Sequence, residues 1–408
     1  MRMHTIVGEL KMRGMRDGFG RFFLMGALLT GVLFLVSACG SSGSSGSNPS
    51  ASTGTFTDAP VKGLKYQDSP SGLSGVTDSN GHFNYMPDDT VTFSIGSISL
   101  PAVKATAEIT PVSVFGADYS DPRVQNLAVF LQSLNSDVST VPADMTSGMT
   151  VAVFSSTADT DSLINKAGVT TPISNSAAIA GLINGTSLGG TSYAGTDSSG
   201  KHIVVTFLNN GTYFFGEDGP TDSDGKGYSG YEYGTYSWSP ATHVISATVL
   251  KDTNGDWAFS NTVGTTYAFV NGSSDTLTMG DSQDTFQGVG ALVTADPSNP
   301  ILGSWLLTGV SGGPQYWPQV VTLLSDGTYY AVEEGSGQGN YGYERGTYQW
   351  NQSTGKYTCQ VLVSTDSAQS CPNIYGDTTG AYTITVSGNT LTSTDFNGTY
   401  TWTRVTPQ

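Results

Sequence analysis

A mainly β chain is expected, with one small β-domain and a helical segment followed by two tandem antiparallel β-barrel-like domains. Three observations lead there. The C-terminal half repeats itself: Val205–Tyr213 (VTFLNNGTY) matches Val321–Tyr329 (VTLLSDGTY), Tyr231–Trp238 matches Tyr343–Trp350, and Thr276-Leu277-Thr278 matches Thr390-Leu391-Thr392. A unit this long is a domain, not a solenoid turn. Turn signals at Asn210-Gly211, Asn254-Gly255, Asn271-Gly272, Asp326-Gly327, Ser387-Gly388-Asn389 and Asn397-Gly398 cut both copies into short alternating runs. Such runs suit a sandwich or an up-and-down barrel. Finally, a single stretch, Asp121–Asn135, has convincing helical periodicity.

Taken in order, the chain opens with Arg13, Arg16 and Arg21 before an uncharged apolar run, Phe22–Val36. The run is short for a bilayer span, which needs roughly 20 residues. A basic flank, a short apolar core and small residues before a cleavage point describe a secretory signal over residues 1–38. Its ending, Val36-Ser37-Ala38-Cys39-Gly40, resembles the bacterial lipobox. The resemblance implies cleavage before Cys39 and a diacylglycerol on its sulfur; a plain signal peptide with an incidental cysteine is the alternative. Gly40 in place of Asp implies, by the same resemblance, sorting to the outer membrane, facing the cell surface or the periplasm. Met12 and Met15 also give workable leaders. Residues 39–54 then form a Ser/Gly tether with a typical reach of about 20 Å.

Residues 55–181 read as the small β-domain plus helix. Val61–Tyr66, Phe83 with Tyr85, and Val91–Ile95 alternate with period two, and Asn80-Gly81 is a turn. The stretch Thr77-Asp78-Ser79-Asn80-Gly81-His82-Phe83 resembles the hairpin of prealbumin-like sandwiches in carboxypeptidase regulatory-like domains, which implies a stalk or spacer. Asp78 and Asn80 are oxygen donors, read first as turn-stabilising groups and only second as calcium ligands. Asp121-Pro122 offers an N-cap and a first-turn proline. Val124, Leu127, Ala128, Leu131 and Leu134 then recur at helical spacing. Together with Ile109-Thr110-Pro111, this segment resembles one found after such β-domains in proteobacterial surface lipoproteins. Met149–Phe154 is expected as a strand.

The repeats occupy 182–294 and 295–408. Leu302-Gly303-Ser304-Trp305 resembles the G-x-W of lipocalin-like barrels, and the last strand, Tyr400–Val405, carries Arg404. In that family an arginine from late in the chain packs across the tryptophan. The resemblance thus implies that Trp305 and Arg404 plug the closed end of the second barrel by stacking. The first copy departs from the pattern. Tyr193 is the nearest substitute for the tryptophan, Gly288 falls opposite Arg404 and Phe286 opposite Trp402.

Composition narrows function. Lys and Arg number 16 against 33 Asp and Glu, a net charge of −17. Without the leader the imbalance grows, because the leader holds five of the basic residues and two of the acids. Such a surface repels nucleic acid and anionic headgroups. With Cys39 lipidated, Cys359 and Cys371 remain, and an oxidising compartment favours a disulfide between them over free thiols. No metal or cofactor motif is found. His82, His202 and His243 sit in no catalytic motif. Asp252-Thr253-Asn254-Gly255-Asp256 spaces oxygens as calcium loops do, but Trp257 stands where glycine is needed, so a hairpin turn is the simpler reading. Glu232 and Glu344 recur in both copies. Each is read as fixing a turn or as a buried polar group needing a partner, with acid–base work as the alternative.

The expectation is therefore an acidic, outer-membrane-anchored lipoprotein acting as a non-enzymatic binding or structural surface protein. A lipocalin-like carrier of a small apolar ligand and a glycan or surface adhesin are the alternatives; the oligomeric state is left open. An open apolar barrel interior of several hundred Å³ favours the carrier. An outward aromatic patch favours the adhesin, and a cleft with a desolvated acid pair near Glu232 or Glu344 favours an enzyme.

Overall fold

The computed structural model describes residues 50–197, 200–219, 229–255, 258–260, 264–271, 276–281, 287–311, 318–334, 342–365, 382–395 and 398–407. These lie within one compact unit. The leader, Cys39, Cys371, Asp256 and Trp257 lie outside the described residues.

Eight short strands build the N-terminal part: β1 (Ser52–Phe56), β2 (Lys65–Ser69), β3 (Ser74–Val76), β4 (His82–Tyr85), β5 (Thr90–Ile95), β6 (Ile98–Ser99), β7 (Val103–Lys104) and β8 (Glu108–Ile109). One sheet has the order β4-β1-β8 and the other β3-β2-β5-β6, with β7 also on β5. Aromatic side chains from both sheets meet between them. Phe93 of β5 lies edge-on to Phe56 of β1 at 4.9 Å and to Phe83 of β4 at 5.1 Å. The expected turn is held by Asp78, whose carboxylate accepts from the Asn80 and His82 amides at 2.8 and 2.9 Å.

Four α-helices follow: α1 (Pro111–Phe115), α2 (Pro122–Ser133), α3 (Thr157–Lys166) and α4 (Asn175–Gly185). α2 begins as the sequence predicts, with Asp121 as N-cap and Pro122 in the first turn. Two expectations need correcting. Met149–Phe154 is not a strand: Val151–Ser155 forms a 3-10 turn, with the Thr150 hydroxyl accepting from the Ala152 amide. And α2 is not the single long helix. α4 shows little polar face in sequence because it is packed between α2 and the strand Thr266–Asn271 of the first barrel, which hides helical periodicity.

Each repeat is an eight-stranded up-and-down closed barrel. Barrel 1 comprises β9 (Thr191–Thr196), β10 (His202–Phe207), β11 (Thr212–Asp218), β12 (Gly230–Ser239), β13 (Val244–Asp252), β14 (Thr266–Asn271), β15 (Thr276–Gly280) and β16 (Gln287–Leu292). Barrel 2 comprises β17 (Gly303–Ser311), β18 (Gln319–Leu323), β19 (Thr328–Glu333), β20 (Gly342–Trp350), β21 (Lys356–Ser364), β22 (Tyr382–Ser387), β23 (Thr390–Thr394) and β24 (Thr399–Arg404). β16 closes on β9, and β24 on β17. The short turns, 208–211 and 240–243 in barrel 1 and 324–327, 351–355 and 388–389 in barrel 2, share the end where each chain enters and leaves. The last residues of β11, β13, β19 and β21, after which the longest stretches between strands follow in sequence, lie at the other end.

The barrels pack side by side through equivalent strands, β11 with β19 and β12 with β20. Val204 and Val320, Phe214 and Tyr330, Tyr231 and Tyr343 are repeat mates that share one buried cluster. Gly216 makes the approach possible: a Cβ there would lie 2.4 Å from the Tyr343 ring. At the long-loop end Asp218 meets Tyr343 and Arg345; at the short-turn end Asn209 donates to the Thr406 carbonyl at 2.9 Å. Both long-loop ends therefore face the same way, related by an approximate two-fold along the barrel axes.

Candidate functional site

The short-turn end of barrel 2 is sealed by Trp305 and Arg404, paired across β17 and β24. The Arg404 guanidinium lies over the indole at 4.0 Å and donates to the carbonyls of Leu302 and, at 2.8 Å, Pro300. The Trp305 indole donates to Ile301 at 2.9 Å. Burial pulls the Arg404 pKa down, with the Asp118 carboxylate acting against it. Barrel 1 has Tyr193 at the matching register, since Ser192–Thr206 and Ser304–Thr322 hydroxyl pairs occupy equivalent places. Its short-turn end is covered by α4, where Asn184 exchanges two hydrogen bonds with the Val270 backbone.

Inside each barrel the same polar unit recurs. Tyr213 donates to Glu232 at 3.2 Å in barrel 1, and Tyr329 donates to Glu344 at 2.6 Å in barrel 2. A glycine two residues beyond each glutamate lets the tyrosine ring lie across the strand. A Cβ on Gly234 would sit 2.8 Å from Tyr213, and one on Gly346 2.5 Å from Tyr329. Glu232 also accepts from the amides of Phe259 at 3.2 Å and Ser260 at 3.0 Å. This fastens Phe259 and Ser260 over the barrel, and Phe259 drops against Tyr213 at 4.6 Å. Burial raises the Glu232 pKa, and burial first, then the Glu232 charge, raises that of Tyr213.

Above this unit, at the long-loop end of barrel 1, three polar side chains are buried together. Glu217 is fully buried, Asn254 2% exposed and Lys201 3% exposed. Asn254 Nδ2 donates to Glu217 Oε1 at 3.1 Å, while Glu217 Oε2 and Asn254 Oδ1 have no partner among the described residues. Gly219 and Gly230 make room for the flanking groups: a Cβ on Gly219 would come within 2.8 Å of Lys201 Cγ, and one on Gly230 within 2.8 Å of the Asn254 nitrogen. Gly230 is the cross-strand partner of Glu217. Burial pushes the Glu217 carboxyl up to about 8, against the pull of the Lys201 charge.

Between the barrels, Asp218 accepts from Arg345 Nε at 2.6 Å and Nη2 at 3.2 Å, and from the Tyr343 hydroxyl at 2.9 Å. His202 Nδ1 lies 2.9 Å from Asp218 Oδ1, the oxygen that also accepts from Arg345 Nη2.

Barrel 2 is packed rather than hollow around the void found in it. That void, lined by Trp305, Tyr357, Ile384, Leu391 and Trp402 among others, measures about 20 Å³, enough for one water. An open cleft of about 390 Å³ lies elsewhere, where Asp118 and Ser120 before α2, Pro297 of the inter-barrel linker, Asn389 and Pro407 come together. Among the described residues the large apolar side chains most exposed are Val76, Leu250, Tyr267 and Leu362.

Trp305 and Arg404, singled out from sequence, are thus brought together. Cys359 is disulfide-bonded, while its expected partner Cys371 and the lipidation residue Cys39 lie outside the described residues. Glu232 and Glu344 each receive a tyrosine hydroxyl. Asp252 accepts from the Asn254 and Gly255 amides at 3.0 and 3.1 Å, as a turn does. Sequence reasoning missed the Lys201–Glu217–Asn254 group and the Asp218–Arg345 pair. Arg345 carried a signal, since its repeat mate is Tyr233 and basic residues are scarce in this chain.

No family model and no curated protein matches this chain. Among solved structures, the β subunit of DNA polymerase III from Thermotoga maritima aligns at 8% identity and a TM-score of 0.11, covering 53% of this chain and 56% of that one. A putative β subunit from Eubacterium rectale aligns at 9% identity with a TM-score of 0.11, again covering 53% and 56%. The chain therefore spans little more than half the length of these proteins, and scores this low carry no argument about fold or function.

Proposed function

We propose that this protein is an outer-membrane-anchored lipoprotein acting as a non-enzymatic binding or structural surface protein. One observation carries the reading: two closed barrels stand side by side, and the strand ends that flank their longest inter-strand stretches lie at a common end. Such a pair is a rigid base that displays loops, and binding residues are disproportionately found on loops held by rigid scaffolds. The Glu232 carboxylate is already engaged by Tyr213, Phe259 and Ser260, which supports a structural role for that acid. A void of about 20 Å³ weighs against an apolar carrier using barrel 2, since ligand pockets measure roughly 300–1,000 Å³.

The test uses the intact chain exported in bacteria, with Cys39 retained or changed to Ser. Palmitate labelling and outer-membrane fractionation that depend on Cys39 are expected, as is a native mass free of any solvent-extractable ligand. Reproducible co-purification of an apolar molecule of a few hundred daltons would replace this reading with the carrier. Unlabelled protein released into the periplasm would refute the anchor.

A further inference from the structure

The cluster at the mouth of barrel 1 holds ionisable and amide side chains away from water. A lysine, an asparagine and a glutamic acid are each more than nine-tenths buried. The Asn254 amide already lies on the Glu217 carboxyl at 3.1 Å. Two oxygens, Glu217 Oε2 and Asn254 Oδ1, are left without a partner among the described residues. Leaving buried polar atoms unpaired is costly, so the arrangement calls for chemistry or for a further group. Glycines at 219 and 230 clear the space on both flanks.

We propose that barrel 1 closes itself covalently, through an isopeptide bond between Lys201 Nζ and Asn254 Cγ, with Glu217 as the general acid–base. The Lys201 ammonium passes one proton to Glu217, which frees the amine to attack Asn254 Cγ. The same carboxyl relays a second proton from the attacking nitrogen to Nδ2. The Cγ–Nδ2 bond breaks, the Cγ–Nζ bond forms and ammonia leaves, with Glu217 ending neutral. No oxidant, metal or cofactor enters the balance. Holding nucleophile, amide and acid together in a dry site replaces a bimolecular encounter with an intramolecular one. Burial that pushes the carboxyl up to about 8 favours the neutral amine and neutral acid which the first transfer creates from the ammonium and carboxylate.

The two copies then differ in a consistent way. Barrel 2 carries the disulfide-bonded Cys359 on β21. Barrel 1 holds no cysteine, and its Asn254 follows β13, the repeat mate of β21. The bond would tie the connection ahead of β10 to the one after β13, across the strands β10 to β13.

Intact-mass measurement of the whole exported chain carrying Cys39→Ser, under reducing conditions, tests this directly. The expected mass is one ammonia below that calculated for the processed sequence. Tandem mass spectrometry of a digest should find Lys201 and Asn254 on one branched peptide. Glu217→Gln, which preserves shape, should restore the full mass while circular dichroism stays unchanged; Lys201→Arg should do the same. A full mass in the unmodified chain overturns the proposal. So does a missing ammonia with Lys201 and Asn254 on separate peptides, which marks a succinimide at Asn254-Gly255. A crosslink that persists in Glu217→Gln overturns the role given to Glu217.

Discussion

Arg404→Ala isolates the seal of barrel 2. The guanidinium donates to two backbone carbonyls, those of Leu302 and Pro300, and stacks on Trp305 at 4.0 Å. Hydrogen bonds from a charged donor contribute about 1.5–3 kcal/mol each, and a partly desolvated cation–π contact about 0.5–2 kcal/mol. Arg404 is 8% exposed, so water reaches part of the vacated site and rehydrates one carbonyl. The expected loss is therefore about 3–4 kcal/mol, below the full sum. Arg404→Lys keeps the charge but has no planar fork, so it satisfies one carbonyl and loses the stack. Its expected cost is about half as large. Urea unfolding followed by tryptophan emission reads this out, since Trp305, Trp350 and Trp402 all belong to barrel 2. A loss under about 1 kcal/mol for alanine, or a lysine variant as stable as the parent, would refute the reasoning that the fork seals the barrel.

Three further outcomes are expected. Gly234→Ala would place a Cβ 2.2 Å from the Thr248 carbonyl oxygen and 2.8 Å from Tyr213, so thermal unfolding should show a destabilisation of about 2–3 kcal/mol. Asp218→Asn leaves the half-buried Arg345 guanidinium without its counter-charge; a loss of about 2–3 kcal/mol, below that for a fully buried pair, is expected, with faster hydrogen exchange in β11 and β20. Asp58 is fully buried and its pKa is raised well above the usual carboxylate value by burial, against a hydrogen bond from Gln132. The unfolded chain loses this proton from about pH 4 upward while the folded chain retains it, so the fold is penalised as pH rises until Asp58 ionises in the native state. Asp58→Asn should remove that slope, which is at most about 1.4 kcal/mol per pH unit, in unfolding curves taken from pH 4 to 8.

Much of this architecture was legible because local signals and the repeat agreed. Asn210-Gly211 and Asp326-Gly327 form equivalent turns, and alternation along β13 and β21 separates inner from outer residues. The Trp305–Arg404 contact was legible because both residues sit in short motifs at the ends of one repeat. α4 was not, for its burial on several sides removes the polar face that periodicity relies on. The Lys201–Glu217–Asn254 group was not either. Its members come from three separate segments, and only the side-by-side pairing of β10 to β13 brings them together. Glu217 also ends an aromatic strand, where a sequence reading takes an acid for a solvated strand terminus.

The contact between the barrels shows what duplication kept and what it changed. Val204, Phe214 and Tyr231 share one buried cluster with their repeat mates, so both copies offer the same apolar residues to the interface, as in a two-fold dimer. The polar part is not. On one side Asp218 meets Tyr343 and Arg345. On the other its mate Glu334 approaches Tyr233, the mate of Arg345, closely enough to help burial raise that hydroxyl's pKa. A single arginine therefore distinguishes the two halves. Pairing one first copy with another first copy would bury Asp218 against Tyr233 and leave the carboxylate with His202 alone and without the arginine, at a cost of several kcal/mol. The apolar surface supplies adhesion that either copy could offer, while Asp218 and Arg345 select the first copy for the second and fix both long-loop ends on one face.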